Sequence, residues 1–321
     1  MIINEQNLGI AFKGFKALYT SEFEAAVADW DKVAMKVPSS GRDTTYAWLG
    51  QFPQFREWVS GARQLKELAA HGFTIENVKF ESTVKIPRDD FSDDQYGAFG
   101  KMFEEMGLAA KKHPDELVFA LLKNGFSELC FDGQFFFDTD HPYQPDPAQP
   151  ATSVSNMQAG TGAPWFLLDG SRPLKALIFQ VREDYDLQSM TRPEETHVFL
   201  NDEYVYGIRA RVNAGFGVWQ LAYGSKAALT PANYAAARTA MQGFRGDRGR
   251  ILGVKPNLLV VPPAHEEAAR KIVAATNEAG GSNPWAGTAE VVVSAYLGVS
   301  PEDRERIEAL VLGAFEDAIN G

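Results

Sequence analysis

A single cysteine, Cys130, is all the thiol chemistry the chain carries. That excludes an intrachain disulfide and any cysteine-built metal cage, and it fits synthesis in a reducing cytoplasm. Apolar runs stop far short of the roughly 18 residues that a membrane span needs. Residues 1–18 lack the basic-then-apolar layout of a signal peptide. Basic charge is also scarce: 31 Lys and Arg against 42 Asp and Glu leave a net charge of −11. A dedicated nucleic-acid-binding module normally presents a basic surface, so this balance argues against one. It does not argue against a protein that encloses nucleic acid without gripping it. Catalytic signatures are missing as well: there is no G-x-S-x-G elbow, no phosphate-cradling glycine loop and no dinucleotide fingerprint. What the chain does have is apolar bulk. Of 321 residues, 45% are hydrophobic and 12% aromatic, enough for a large core in one domain or two.

The stretch 92–125 organises the rest. Ser92 followed by Gln95 reads as a capping box. Tyr96, Phe99, Phe103, Met106, Ala110, Leu117 and Leu121 then recur at helical steps and share one face, with Lys101, Glu104, Glu105, Lys111 and Lys112 on the other. At ~1.5 Å per residue this is a spine of about 45 Å. Pro114 either kinks it or opens a second helix capped by His113.

Residues 1–40 read as an arm: Ser21 and Glu24 form another possible capping box, with Phe23, Val27, Trp30 and Ala34 as a helical stripe that needs a surface to lie on, which a neighbour could supply. Pro38-Ser39-Ser40-Gly41 then stops the helix. Next, Trp48, Leu49, Phe52, Phe55, Trp58 and Val59 crowd large side chains among Gly50, Pro53 and Gly61. A short helical piece, 64–70, follows. The return leg alternates, with Val78, Phe80, Val84 and Ile86 on one side and Lys79, Glu81, Thr83 and Lys85 on the other. The whole is a long hairpin. Two strands alone are marginal in water, so it gains order by packing on another copy or back on its own domain.

Further strands are expected at 130–137 around an Asp132-Gly133 turn, 165–168, 174–180 and 198–200, and as a pair, 204–212 and 216–223, joined across Asn213-Ala214-Gly215. Thr230-Pro231 opens a helix, 258–261 reads as a buried strand, Pro262-Pro263 starts another helix, and 290–293 is a last strand. Ser300 caps a terminal helix. Candidate chemistry is thin. Asp138, Asp140 and His141 are the best metal-like group, but D-x-D-H followed by Pro142 matches no closed ligand set and reads rather as a polar turn. His71, His113, His197 and His265 sit beside helix starts, Gly or Pro and read as caps or surface groups. Buried, Cys130 is a small apolar side chain with a raised pKa. Arg245, Arg248 and Arg250 form a charged loop that could touch phosphate but reads more readily as a solvated connection or as partners for carboxylates of a neighbouring subunit.

Several stretches together are specific: Thr45-Tyr46-Ala47-Trp48-Leu49-Gly50-Gln51-Phe52-Pro53, Glu57-Trp58-Val59, and the run from Phe80 to Phe91. To these add Pro114-Asp115-Glu116-Leu117, Cys130-Phe131-Asp132-Gly133-Gln134, Phe136-Phe137-Asp138, His141-Pro142 and Gly215-Phe216-Gly217-Val218-Trp219-Gln220. In these the chain resembles the major head (capsid) subunits of Mu-like bacteriophages, the T-protein type, which have an HK97-like capsid fold. The likeness runs in order to Ala295-Tyr296-Leu297; the acidic helix from Ser300 to Asn320 lies outside the family pattern.

The resemblance implies an α+β fold with an N-terminal arm (1–40), an extended E-loop (41–91), a peripheral domain holding the spine helix (92–226, with a returning strand near 288–299) and an axial domain (227–287); the C-terminal helix (300–321) is read from its own cap and apolar face. It implies no enzyme, metal or cofactor. The expected function is a subunit that builds an icosahedral head shell around double-stranded DNA, bound without sequence specificity, in the virion after assembly in the host cytoplasm. The expected partners are itself in hexamers and pentamers, a scaffolding protein, a portal and a decoration protein; no membrane is involved. Trp48, Phe52, Phe55, Arg56, Trp58 and Arg63 are expected inter-subunit contacts. Phe99, Phe103, Met106, Leu117 and Leu121 form the expected spine core, and Arg245, Arg248 and Arg250 a charge loop between subunits. The alternatives are an encapsulin-type nanocompartment and, remotely, a metal-dependent hydrolase using Asp138, Asp140 and His141.

Overall fold

The two largest sheets fall one in each of two units of the chain: residues 1–50, 56–121 and 177–217 in the first, and 51–55, 122–176 and 218–321 in the second. The computed structural model describes residues 5–47, 49, 72–93, 98–143, 152–246, 249–278 and 281–298.

The first unit's sheet runs Ala34–Pro38, Leu177–Met190, Glu203–Phe216, Val78–Pro87 in spatial order. Its first pair is parallel and the other two antiparallel. Strand Glu203–Phe216 alternates, turning Tyr204, Tyr206, Ile208, Ala210 and Val212 inward. Onto that apolar face pack helix Glu5–Ala25, through Leu8, Phe12, Phe15, Tyr19 and Phe23, and helix Ala98–Asn124, through Phe99, Phe103, Met106 and Ala110. Phe15 stacks on Phe103 with ring centroids 4.3 Å apart and meets Tyr206 edge-on at 5.7 Å. The N-terminal helix thus finds its surface on its own chain.

Several expectations fail in instructive ways. Ser21 lies inside the N-terminal helix rather than opening one, because Leu8, Phe12, Phe15 and Tyr19 already carry the apolar stripe. Only Trp30–Val33 is helical beyond it, and Ala34–Pro38 is a strand, since parallel pairing with residues 177–181 overrides the helical spacing. Ser92 falls in the short helix Arg88–Asp93, where its hydroxyl donates back to the Asp89 carbonyl. Gln95 and Tyr96 lie outside the described residues. Pro114 neither breaks nor restarts the long helix; it sits inside it, unable to donate to the Ala110 carbonyl. Beyond it Val118, Phe119 and Leu122 are buried while Leu117 and Leu121 are half-buried. Leu117-Val118-Phe119-Ala120-Leu121-Leu122 is apolar throughout, so spacing alone does not choose a face.

The return leg Val78–Pro87 keeps its alternation except at the exposed Val78, and it pairs with Glu203–Phe216. The outgoing strand Asp43–Tyr46 pairs with Phe73–Glu76. The tip, 50–71, including the helical piece expected at 64–70, lies outside the described residues. No turn occurs at Asn213-Ala214-Gly215, where one strand runs unbroken. Gly215 serves a close approach instead: a Cβ there would lie 2.1 Å from the Ile75 Cδ1 atom. Residues 198–200 belong to helix Thr196–Asn201, which closes on Asp202 in the left-handed region at φ 50°. Residues 174–176 precede strand Leu177–Met190.

The second unit's sheet runs Glu290–Val293, Leu258–Val261, Trp165–Leu168, Ala222–Ser225, Met157–Gln158. The apolar runs 165–168 and 258–261 are buried at every position, as central strands should be. Helices Pro231–Gln242 and Glu266–Val273 pack against this sheet, the first capped by Thr230, whose Oγ1 accepts from the Asn233 amide at 3.2 Å. Segment 130–137 is a loop with a single bridge, Leu129 to Phe135, turning at Gly133 with φ 86°. The terminal helix expected from Ser300 falls outside the described residues.

Candidate assembly interface

The root of the long hairpin is held by a buried polar knot. Gln180 is fully buried on strand Leu177–Met190. Its Oε1 accepts from the Tyr46 hydroxyl at 2.8 Å. Its Nε2 donates to the Ile75 carbonyl at 3.1 Å and to Asn77 Oδ1 at 2.8 Å. Asn77 in turn donates from Nδ2 to Ser39 Oγ at 2.9 Å and to the Gly41 carbonyl at 3.0 Å. Burial pushes the Tyr46 hydroxyl up to about 12, so it stays a donor at any physiological pH. The knot joins both legs of the hairpin to the main sheet. Of the expected contact residues beyond it, Trp48, Phe52, Phe55, Arg56, Trp58 and Arg63 lie outside the described residues.

The arm is tied down by a carboxylate from the long helix. Asp115, 4% exposed, accepts from the backbone amides of Asp29 at 2.8 Å and Trp30 at 2.7 Å through Oδ1. It thereby caps the short helix Trp30–Val33, which has no side-chain cap of its own. Burial raises the Asp115 carboxyl, opposed by those two amides and by Lys112. A carboxyl raised in the folded state binds its proton more tightly than in the unfolded chain. Its contribution is therefore greatest at low pH and falls as pH rises from the ordinary carboxylate range through the folded value. Asp115→Asn keeps an acceptor and sheds the desolvated charge, so its unfolding midpoint at neutral pH should equal or exceed the parent's. Asp115→Ala should lose about 1 kcal/mol. A midpoint for Asp115→Asn as low as that for Asp115→Ala would show that the charge itself holds the arm.

Two large apolar side chains stand exposed side by side on helix Thr196–Asn201: Phe199 at 80% and Leu200 at 70%. Asp138 spends its carboxylate on the Phe135 and Thr139 amides. Asp140 is exposed, and its carboxyl is raised chiefly by a hydrogen bond with Asp138. His141 turns away from both, to Asp132 at 2.8 Å. The trio expected from sequence therefore does not assemble. His113 bonds Tyr185 through Nδ1 at 2.6 Å, and His265 bonds the Ala163 carbonyl through Nε2 at 3.0 Å. His197 lies beside Asn201 and Glu203. Arg245 donates to the Gly249 carbonyl of its own loop at 2.7 Å, Arg250 is exposed, and Arg248 lies outside the described residues. Among the described residues no helix is long and apolar enough to cross a membrane.

Sequence reasoning missed Gln180, Asn77 and Asp115. A lone Gln inside the apolar run Leu177-Ile178-Phe179-Gln180-Val181 was the available signal, because a buried amide needs partners.

The fold has solved counterparts. The procapsid subunit of bacteriophage JBD30 superposes with a TM-score of 0.83 at 44% identity, covering 92% of this chain and 100% of that one. The JBD30 capsid gives 0.72 at 34% identity, covering 85% of this chain and 91% of that one. The architecture therefore defines an α+β capsid subunit, a structural protein of phage head shells. The family model described as Mu-like prophage major head subunit gpT matches residues 8–297. The major capsid protein of Escherichia phage Mu is 41% identical over 306 residues, covering 92% of this chain and 100% of the relative. The Mu-like prophage FluMu major head subunit of Haemophilus influenzae is 39% identical over 268 residues, 82% of this chain and 87% of the relative. The chain belongs to the Mu-like major head subunit family. It assembles with copies of itself into the head shell, and the encapsulin and metal-hydrolase alternatives are set aside.

Proposed function

We propose that this subunit works through interfaces alone, catalysing no reaction, and that segment 47–72 is its principal grip on a neighbouring copy. One observation carries the reading. The fully buried Gln180 knot fixes both legs of a hairpin whose intervening sequence holds Trp48, Phe52, Phe55 and Trp58 beside Arg56 and Arg63. Aromatic and arginine anchors dominate association, and burying one such ring is worth ~1.5–3 kcal/mol. A closed shell makes each contact many times over, so modest contacts suffice. In this plan 1–40 is the arm, 41–91 the E-loop, 92–226 with the strand near 290 the peripheral domain, and 227–287 the axial domain. Arg245, Arg248 and Arg250 meet carboxylates of a neighbour.

The shell encloses double-stranded DNA without sequence-specific binding, after cytoplasmic assembly with a scaffold and a portal; decoration by a partner protein completes it. The net charge of −11 supports this, because a wall making many phosphate contacts would arrest the DNA it must admit and release. Trp58→Ala should leave the circular dichroism spectrum of the subunit unchanged and weaken each contact by about 1.5–3 kcal/mol, so that shells fail to close. Normal heads from that variant would overturn the assignment. In the parent shells, retained nucleic acid should depend only shallowly on salt, and a steep dependence would count against the passive wall.

A further inference from the structure

Three motifs quoted from the sequence play no part in the assembly reading, yet they meet in the second unit: Asp132, His141 and Trp219. His141 is fully buried. Its ring lies flat on the Trp219 indole, centroids 4.0 Å apart and planes 12° from parallel, and Trp219 meets Phe244 edge-on at 5.7 Å. Nδ1 is 2.8 Å from Asp132 Oδ2, and Nε2 is 3.2 Å from Asn156 Oδ1.

The identity of each acceptor follows from its other bonds. Asn156 is fully buried and its amide cannot be flipped: Nδ2 donates to the Phe136 carbonyl at 2.8 Å, and Oδ1 accepts from the Asp138 amide at 2.9 Å. An oxygen therefore faces Nε2, which must donate. At the other nitrogen, Asp132 Oδ1 already accepts from the Gln134 amide and the Cys130 thiol, each at 3.1 Å, leaving Oδ2 for His141. Burial alone would raise the Asp132 carboxyl, but the bonds from His141 and Cys130 outweigh it and hold the group below the usual carboxylate range. A carboxyl oxygen thus faces Nδ1 as well.

We propose that His141 is a buried imidazolium, protonated on both ring nitrogens, and that its pair with Asp132, stacked on Trp219, pins three segments together: 130–141, 152–158 and 219–221. A cation over an indole face is attracted by the ring quadrupole, and a buried carboxylate requires a counter-charge. Among the described residues, two other ionisable groups lie close to this pair. Asp140 acts on the ring from an exposed position, and Cys130 reaches it only through Asp132, with its thiol raised first by burial and so kept neutral. Trp219, Phe244 and Asn156 bring no titratable group. Asp132 is thus the carboxylate that satisfies the ring, and the pin tethers a loop whose Leu129 and Phe135 face solvent.

A metal ion is the competing occupant, because Cys130, Asp132 and His141 each offer a ligand atom within 4.8 Å of the others. The two carboxylate oxygens are used in separate directions, however, one for the ring and one for the thiol and the Gln134 amide. That is a proton's geometry and not a shared ion's.

The experiment is a 15N-histidine spectrum of assembled full-length shells, with the His141→Gln variant identifying the signal among five histidines. Two protonated nitrogens on His141 at neutral pH are expected. In Asp132→Asn, Nδ1 should lose its proton while Nε2–H stays on Asn156. Asp132→Asn and His141→Gln should each lower the unfolding midpoint, and the double variant should lose less than the sum. A lone-pair nitrogen on His141 in the parent shells, additive losses, or a stoichiometric metal ion removable by chelation would overturn the proposal.

Discussion

Gly107→Ala should cost about 3 kcal/mol or more and strip protection from helix Glu5–Ala25, although by local propensity alone it should stabilise the protein. Glycine inside a helix is worse than alanine by about 1 kcal/mol. Gly107 sits mid-way along Ala98–Asn124, so something else keeps it there. A Cβ at this position would lie 2.4 Å from the Tyr19 carbonyl oxygen and 3.2 Å from the Phe23 amide nitrogen. Both are backbone atoms of the N-terminal helix, so no rotamer change relieves the clash. Retreat of that helix would draw Phe15 from its stack on Phe103 and Tyr19 from the core, and each buried ring is worth ~1.5–3 kcal/mol. Hydrogen exchange should show residues 5–25 opening while the sheet stays protected, together with a lower urea midpoint. Unchanged protection would mean the two helices have room to part.

The same contact explains part of what could be read from sequence. Helix Pro231–Gln242 and strands Trp165–Leu168 and Leu258–Val261 were legible because their signals are local: a Thr-Pro cap, and short apolar runs closed by Pro, Gly or Asn. Where two signals competed, the distant one won. Asn213-Ala214-Gly215 has the composition of a turn, but Gly215 answers to Ile75 across the chain. Ser92 and Ser21 looked like caps, and each proved to lie inside a helix. The hairpin is read from its crowded aromatics and its alternating return leg, and its assignment as an E-loop comes from the resemblance; residues 50–71 lie beyond the described residues. Asp132 and His141 were both noticed, yet nothing in their spacing paired them; His141 was grouped with Asp138 and Asp140, its nearer neighbours in sequence. The Gln180 partners Tyr46 and Asn77 are 134 and 103 positions away, so no local window contains the knot.

That knot carries the second large effect. Leucine is close to glutamine in size, so Gln180→Leu preserves packing while removing one acceptor and two donated bonds. Tyr46 Oη, the Ile75 carbonyl and Asn77 Oδ1 would each lose a partner in a dry site, at ~1–3 kcal/mol apiece, and about 3–9 kcal/mol in sum. The loss should not spread evenly. Among the described residues, strands Asp43–Tyr46 and Phe73–Glu76 pair only with each other, and a two-stranded ribbon is marginal alone. Exchange should therefore rise first at 43–46 and 73–76, while Glu203–Phe216, paired on both sides, stays protected. Tyr46→Phe removes one bond of the knot and should show a graded version, about 1 kcal/mol. If the hairpin places Trp58 against a neighbour, Gln180→Leu should also reduce shell yield without touching any contact residue, because a loosened root must spend binding energy on re-ordering itself. Uniform exchange across the first unit, or full shell yield with the root open, would show that the hairpin is held by its neighbours and not by Gln180.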